Sequence, residues 1–167
     1  MSEMEILTYP DDSLKKISEW VENIDQSILD FIHKLEATRL GGPGAVGIAA
    51  PQVGILKRIV IVDVSNMHKP VDNHGHMIMI NPEISEWDGM AMGREGCLSV
   101  PDFTGNVIRA EKIKLNYLDP RGESHEIESA GFEARAIQHE LDHLDGLLFL
   151  DRLVSRRTDL FKRKNYK

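Results

Sequence analysis

The chain has a single cysteine, Cys97, so it forms no internal disulfide, and any chemistry at that sulfur is that of a thiol or thiolate. Long apolar runs are absent, and no stretch approaches the ~20 residues needed to span a bilayer. The start, "MSEMEILTYPDDS", has neither a basic region followed by an apolar core nor an Arg/Ser-rich presequence. A cytoplasmic protein with no membrane partner is expected. Positive charge is also scarce: 20 Lys and Arg stand against 27 Asp and Glu, a formal net charge of −7. That balance argues against a general nucleic-acid or anionic-membrane surface and suits a small peptide substrate. No repeat, low-complexity tract or linker interrupts the 167 residues, and 41% hydrophobic content suffices for one sizeable core. A single domain over 1–167 is expected, with a basic C-terminal segment at 152–167.

The pattern along the chain is mixed α+β. Ile24, Ile28, Phe31, Ile32 and Leu35 recur at helical spacing, with Asp25 as N-cap. "GGPGAVGIAAPQVG" then breaks the period as a Gly-rich loop, and "ILKRIVIVDV" reads as a strand. "MIMINP" and "EISEW" read as two short strands, and "KIKLNYLDPRGESHEIE" as two strands joined through Asp119-Pro120-Arg121-Gly122. From about Phe132 a helical pattern returns, with Ile137, Leu141, Leu144 and Leu148 on one face. His68, His74 and His76 fall in a polar loop and read as solvated.

That last helix carries "QHELDHLDGLLF" (138–149), which contains His-Glu-x-x-His. Four residues turn a helix by about 400°, so His139 and His143 lie one turn apart on one side and can share a metal ion. Glu140 points to the adjacent side, within reach of a water but not of the ion. The plainer reading is a solvated helix that happens to match so short a motif. The third ligand is the open question. Phe149 occupies the last ligand position of the H-E-x-x-H-x-x-G-x-x-H pattern, and no His or Glu follows His143. Asp145, Asp151 and Asp159 remain formal candidates. Upstream, "REGCLSVP" offers Cys97, a strong ligand for Zn²⁺ or Fe²⁺, although a lone cysteine is as readily a small buried residue.

Taken together, "GAVGIAAPQ" (44–52), "EGCLS" (95–99) and "QHELDH" (138–143) closely resemble the three ordered motifs of the peptide deformylase family. The likeness extends over nearly the whole chain, including "LTYPDDSLKK" and "ARAIQHELDHLDGLLFLDRL". It implies an α+β fold with three antiparallel sheets around a central metal-binding helix. It also implies hydrolytic removal of formyl from N-formylmethionine on new polypeptides, with one divalent ion, Fe²⁺ as the expected native metal and Zn²⁺ or Ni²⁺ as substitutes.

Residue by residue, the resemblance assigns Cys97, His139 and His143 as ligands, Glu140 as the proton shuttle, and the Gln52 side chain with the Leu98 backbone N–H as oxyanion donors. Val46, Gly47 and Gly96 are candidates for contact with the substrate backbone, since glycine allows close approach. Phe132 and Ala136, with Val46, are candidates for the methionine pocket. Ala45 stands where the family pattern has glycine, and an extended backbone with negative φ is expected there. The basic tail (Arg152, Arg156, Arg157, Lys162, Arg163, Lys164 and Lys167) reads as a charged exposed helix. The resemblance adds ribosome docking near the nascent chain as its use.

Overall fold

The computed structural model describes residues 4–41 and 45–163. Helix α1 (Gln26–Gly41) starts where expected: the Asp25 carboxylate accepts a bond from Ile28 N at 3.1 Å and another from Ser27 Oγ at 2.6 Å. Eight strands follow, interrupted by one further helix. They are β1 (Gly47–Ala49), β2 (Ile59–Val62), β3 (Met77–Asp88), β4 (Ala91–Cys97), β5 (Val100–Arg109), β6 (Lys112–Leu118), β7 (Ser124–Ala130) and β8 (Leu160–Lys162), with α2 (Gly131–Leu144) between β7 and β8. Their pairings are antiparallel, as expected. They form a five-stranded sheet in the order β1-β2-β3-β6-β7 and a three-stranded sheet in the order β4-β5-β8. Among the described residues there are therefore two sheets, not the three the family resemblance led us to expect.

Strand β2 explains the layering. All four of its residues are buried, as a strand covered on both faces must be. Ile59 and Ile61 face α1 with Ile32, Leu35 and Ile48, whereas Val60 and Val62 face α2 with Met79, Ile137 and Leu141. The period of two thus sends alternate side chains into separate cores on either side of one sheet. A third cluster joins Cys97, Val100 and Val107 of the smaller sheet to Leu148, Phe149 and Leu150 just beyond α2. Helix α2 consequently lies between the sheets, with buried residues nearly all round it.

Several local expectations change. The Gly-rich stretch is not all loop: it contributes strand β1 and a 3-10 turn, Ala50–Val53. "MIMINPEISEW" is one long strand, β3, with a register shift between Ile80 and Glu83. There Asn81 takes φ 53° and its side chain bonds both Val21 N and Val21 O at 2.9 Å, so the strand bends without ending. The sequence pattern announces neither β4 nor β5, because Gly93, Gly96 and Gly105 interrupt their alternation. Helix α2 stops at Leu144, so Leu148 lies beyond it. Gly146 at φ 76° terminates it, with Gly146 N bonded to His143 O at 3.2 Å and Leu147 N to Asp142 O at 2.9 Å. The described part of the basic tail is a 3-10 turn (Phe149–Arg152) and strand β8. Lys164 and Lys167 lie outside the described residues. No described helix is long and apolar enough to cross a membrane.

Candidate metal centre and cleft

The two histidines are on α2 by their spacing, and Cys97 arrives at the end of β4. Their ligand atoms all lie within 4.8 Å of one another, and Cys97 Sγ is 3.4 Å from His143 Nε2. All three residues are buried. Cys97 Sγ also faces Ser99 N at 3.4 Å and Gln52 Nε2 at 3.5 Å. His139 Nδ1 donates to Glu95 Oε1, 2.8 Å away, which leaves Nε2 for the interior of the site. Two buried polar atoms have no partner here, Glu140 Oε1 and His143 Nδ1. A thiol and two imidazoles, with an orphaned carboxylate oxygen beside them, suit a divalent ion of the Zn²⁺ or Fe²⁺ type.

The electrostatics agree with that fit. Burial opposes a charge on His139, but the Cys97 sulfur and the Glu95 carboxylate outweigh it and raise its pKa well above the imidazole range. The site thus favours positive charge at this spot, which a cation would supply. His143 is shifted the other way, well below that range, by burial and by its neighbour His139. Glu140 is raised to about 7, chiefly by burial. Glu95 is also buried, yet bonds from Arg109 and His139 hold it well below the usual carboxylate range.

Glu95 anchors a buried charge cluster that the sequence pattern does not single out. It takes two bonds from Arg109, at 2.9 and 2.8 Å, and one from Arg135 at 2.7 Å. Arg109 also bonds Asp142 at 2.5 Å, and Asp142 receives Arg152 at 2.9 and 3.0 Å. Glu95 and Asp142 are visible inside the quoted motifs, but Arg109, Arg135 and Arg152 come together only through the fold. Ser99 is a second omission: buried, it receives Gln52 Nε2 at 3.1 Å.

A cavity of about 240 Å³ opens above the centre. Val46, Gly47, Gln52, Gly96, Cys97, Leu98, Phe132, Ala136, His139 and Glu140 all line it; His143 lies deeper, and the formal ligand candidates Asp145, Asp151 and Asp159 are not on its wall. Val46, Phe132 and Ala136 also pack on the core beneath α2. Gln52 is oriented from behind by Ala49 N, which bonds its Oε1 at 2.9 Å.

The two glycines also make room within the protein. A Cβ on Gly47 would sit 2.6 Å from Glu140 Oε2, and one on Gly96 would sit 2.5 Å from Arg163 Nη2. Each makes room for a side chain of the protein itself. Neither has positive φ, and Asn81 is the only described residue other than glycine that does, so Ala45 has the ordinary backbone expected of it. Ala45 O accepts from Arg39 at 3.1 Å. The loop histidines hold no ion-binding cluster among the described residues. His74 Nδ1 pairs with buried Glu133 at 2.6 Å, and His76 with Glu36 at 3.1 Å. Phe149, at the missing third-ligand position of the protease pattern, is buried and stacks 6.4 Å from the His139 ring.

Comparisons with known proteins converge. The family model described as polypeptide deformylase matches residues 3–159. The peptide deformylase of Thermodesulfovibrio yellowstonii is 41% identical over 164 residues, covering 98% of this chain and 97% of that protein. Peptide deformylase 1 of Clostridium acetobutylicum is 45% identical, covering 89% and 93%. Among solved structures, the peptide deformylase of Thermotoga maritima superposes with a TM-score of 0.84 at 36% identity, covering 93% of this chain and all of that one, 100%. A class I type b peptide deformylase from Acinetobacter baumannii with Met-Ala-Ser bound gives 0.84 at 39% identity, covering 91% and 99%.

Proposed function

Because the chain belongs to the peptide deformylase family, metal-dependent hydrolases that remove the N-formyl group from nascent polypeptides, we propose that its own centre works through Cys97, His139 and His143 as ligands and Glu140 as proton shuttle. The observation that carries this assignment is the buried Cys/His/His cluster with an unpartnered Glu140 oxygen beside it. When bound, the divalent ion supplies Lewis acidity and lets water give up a proton near neutral pH.

Glu140 is suited to hold that proton. Burial raises its carboxyl to about 7, so it accepts a proton at Oε1 and can release it to the departing amine. Gly47 leaves the space in which the carboxylate sits. Glu95 fixes the orientation of His139 through Nδ1. As the formyl carbon becomes tetrahedral, Gln52 Nε2 and the Leu98 backbone N–H donate to its oxygen, contributions worth ~3 kcal/mol each. Strands β1 and β4 are edge strands of their sheets, and their ends meet at the cavity through Gly47 and Gly96. A substrate peptide lies between them as an added strand, with the formylmethionine side chain against Val46, Phe132 and Ala136. The Met-Ala-Ser peptide in the Acinetobacter enzyme supports a ligand of this class.

Fe²⁺ is the native ion in this reading, with Zn²⁺ or Ni²⁺ as substitutes, because a mixed sulfur and nitrogen donor set takes all of them. The protein acts in the cytoplasm, where newly made chains are available. Docking on the ribosome uses Arg156, Arg157 and Lys162, exposed cations that have no acidic partner within 4.0 Å among the described residues. Anaerobic purification, metal analysis and a formate-release assay on formyl-Met-Ala-Ser test the central assignment. Formate together with about one equivalent of metal is expected, whereas an internal cleavage product without formate would make the protein a metallopeptidase.

A further inference from the structure

The formyl group removes the only charge at the substrate's N-terminus, so any charge recognition in the cleft must act on residues downstream of the methionine. Besides Cys97, the ionisable residues on the cavity wall are Arg94, Glu95, Arg135, His139, Glu140 and Arg163. Arg135 is held by Glu95 at 2.7 Å, a carboxylate it shares with Arg109, and also donates to Val107 O and Ala91 O at 2.9 and 2.7 Å. Glu140 lies deep and buried. Two exposed guanidinium groups, Arg94 and Arg163, are left, and neither has a carboxylate within 4.0 Å among the described residues. On a chain of net charge −7, the wall of this cavity is locally positive.

Both groups are held in place. Arg94 lies over the Phe161 ring at 3.8 Å and donates to Asn106 Oδ1 at 3.2 Å. Strand β8 pairs with β5, and Arg163 N bonds Asp102 O at 2.8 Å, which brings the Arg163 side chain across Gly96. The missing side chain of Gly96 is where this guanidinium fits.

Resting on the deformylase reading above, we propose that Arg163, supported by Arg94, selects substrates bearing a carboxylate downstream of the formylmethionine. The carboxylate is an acidic side chain in the next one or two residues or the free C-terminus of a short peptide. Residues of an extended peptide advance about 3.3 Å each, so such a group leaves the reaction centre within one or two steps and meets the rim. The C-terminal strand is therefore part of the substrate site.

The test uses the metal-loaded full chain and C-terminally amidated formyl-Met-X-X peptides with X as Glu, Gln or Lys. Formyl-Met-Ala-Ser is compared in parallel as free acid and as amide. At low salt kcat/KM should rank Glu over Gln over Lys, by about two- to fivefold per step, the range of an exposed ion pair, and the difference should lie in KM. Raising the salt should compress the ranking. Arg163→Gln should bring the Glu to Gln ratio close to one, and Arg163→Lys should keep most of it. A preference confined to the free acid over the amide would identify the terminal carboxylate as the group read. Calorimetric binding of Met-Glu-Glu and Met-Gln-Gln amides should show the same order without turnover. Formate release with a flat or reversed ranking and no preference for the free acid overturns the proposal, as does a ranking or free-acid preference unchanged in Arg94→Gln/Arg163→Gln. No formate from any peptide would instead overturn the deformylase reading beneath it.

Discussion

Two cavities flank helix α2, and the larger one is the less reactive. The cleft over Cys97 and His139 measures about 240 Å³, while the hollow bordered by Trp20, Trp87, Met90, Gln138 and Asp142 on another side of the helix measures about 670 Å³. Both contain buried ionisable groups. In the larger hollow they are spent on one another: Arg58 pairs with Asp145 at 2.9 Å, Arg109 with Asp142, and Arg152 with Asp142. Arg58 Nε alone is left over there, on a guanidinium that also stacks over Trp20 at 4.9 Å. At the smaller cleft a Glu140 oxygen on the wall and a His143 nitrogen beneath it lack partners among the described residues, and the two pKa values are displaced in opposite directions. Unmet bonding capacity in a confined space marks the chemistry better than volume does.

Breaking the reactive side should have the largest effect. Glu140→Gln is expected to lower kcat by about 10²–10⁴-fold while leaving the metal bound, because it removes the proton shuttle and no ligand. Single-turnover formate release and elemental analysis on one preparation check both halves. Loss of the metal would place Glu140 among the ligands.

Cutting the charge cluster that joins the two cavities comes next. Glu95→Gln leaves Arg135 without a carboxylate and Arg109 with Asp142 alone, and should cost about 3–5 kcal/mol. The folded carboxyl lies well below its ordinary 4.5, so its contribution is full above about pH 4.5 and is lost as the pH falls through the folded value. Urea midpoints at pH 7 and pH 4 should therefore differ more in the natural protein than in the variant. Equal differences would mean the cluster does not stabilise the fold through its charge.

Gly47→Ala separates reactivity from stability within the small cleft. Its backbone tolerates alanine, but the new Cβ displaces the Glu140 carboxylate, so kcat should fall by about 10²-fold with little shift in Tm. At the neighbouring Ala45, Ala45→Gly should cost roughly 0.4–1 kcal/mol through unfolded-state entropy and leave kcat/KM nearly unchanged. A stabilised and faster variant would show that the natural alanine is strained. Smallest of all, Trp87→Ala in the large hollow, where the indole is 73% exposed, should change stability by no more than about 0.5 kcal/mol and leave formate release untouched. A marked loss of activity there would undo the contrast between the two cavities.

What the sequence determined by itself was the local and the chemical. The spacing of His139 and His143 comes from the helical repeat, Asp25 caps α1, and the Asp119–Gly122 turn joins β6 to β7 with Gly122 at φ 80°. The three motifs were enough to single out Cys97, His139 and His143, which the fold brings together, and Gln52 with part of the cavity wall, because each set is short in sequence and chemically distinctive. The β4-β5 hairpin and the bend of β3 at Asn81 depended on tertiary pairing and packing, which override local pattern, whereas α2 ends at Gly146 through a local glycine cap. Tertiary structure alone decided what the glycines are for. It set Glu140 against Gly47 and Arg163 across Gly96, placements that join segments 93 and 67 positions apart in the chain. It also buried Glu95 among Arg109, Arg135 and His139, turning one acidic residue into the group that orients the His139 ring. Side-chain spacing along a helix is set by bonded geometry, whereas a buried charge finds its partners only when the whole core closes around it.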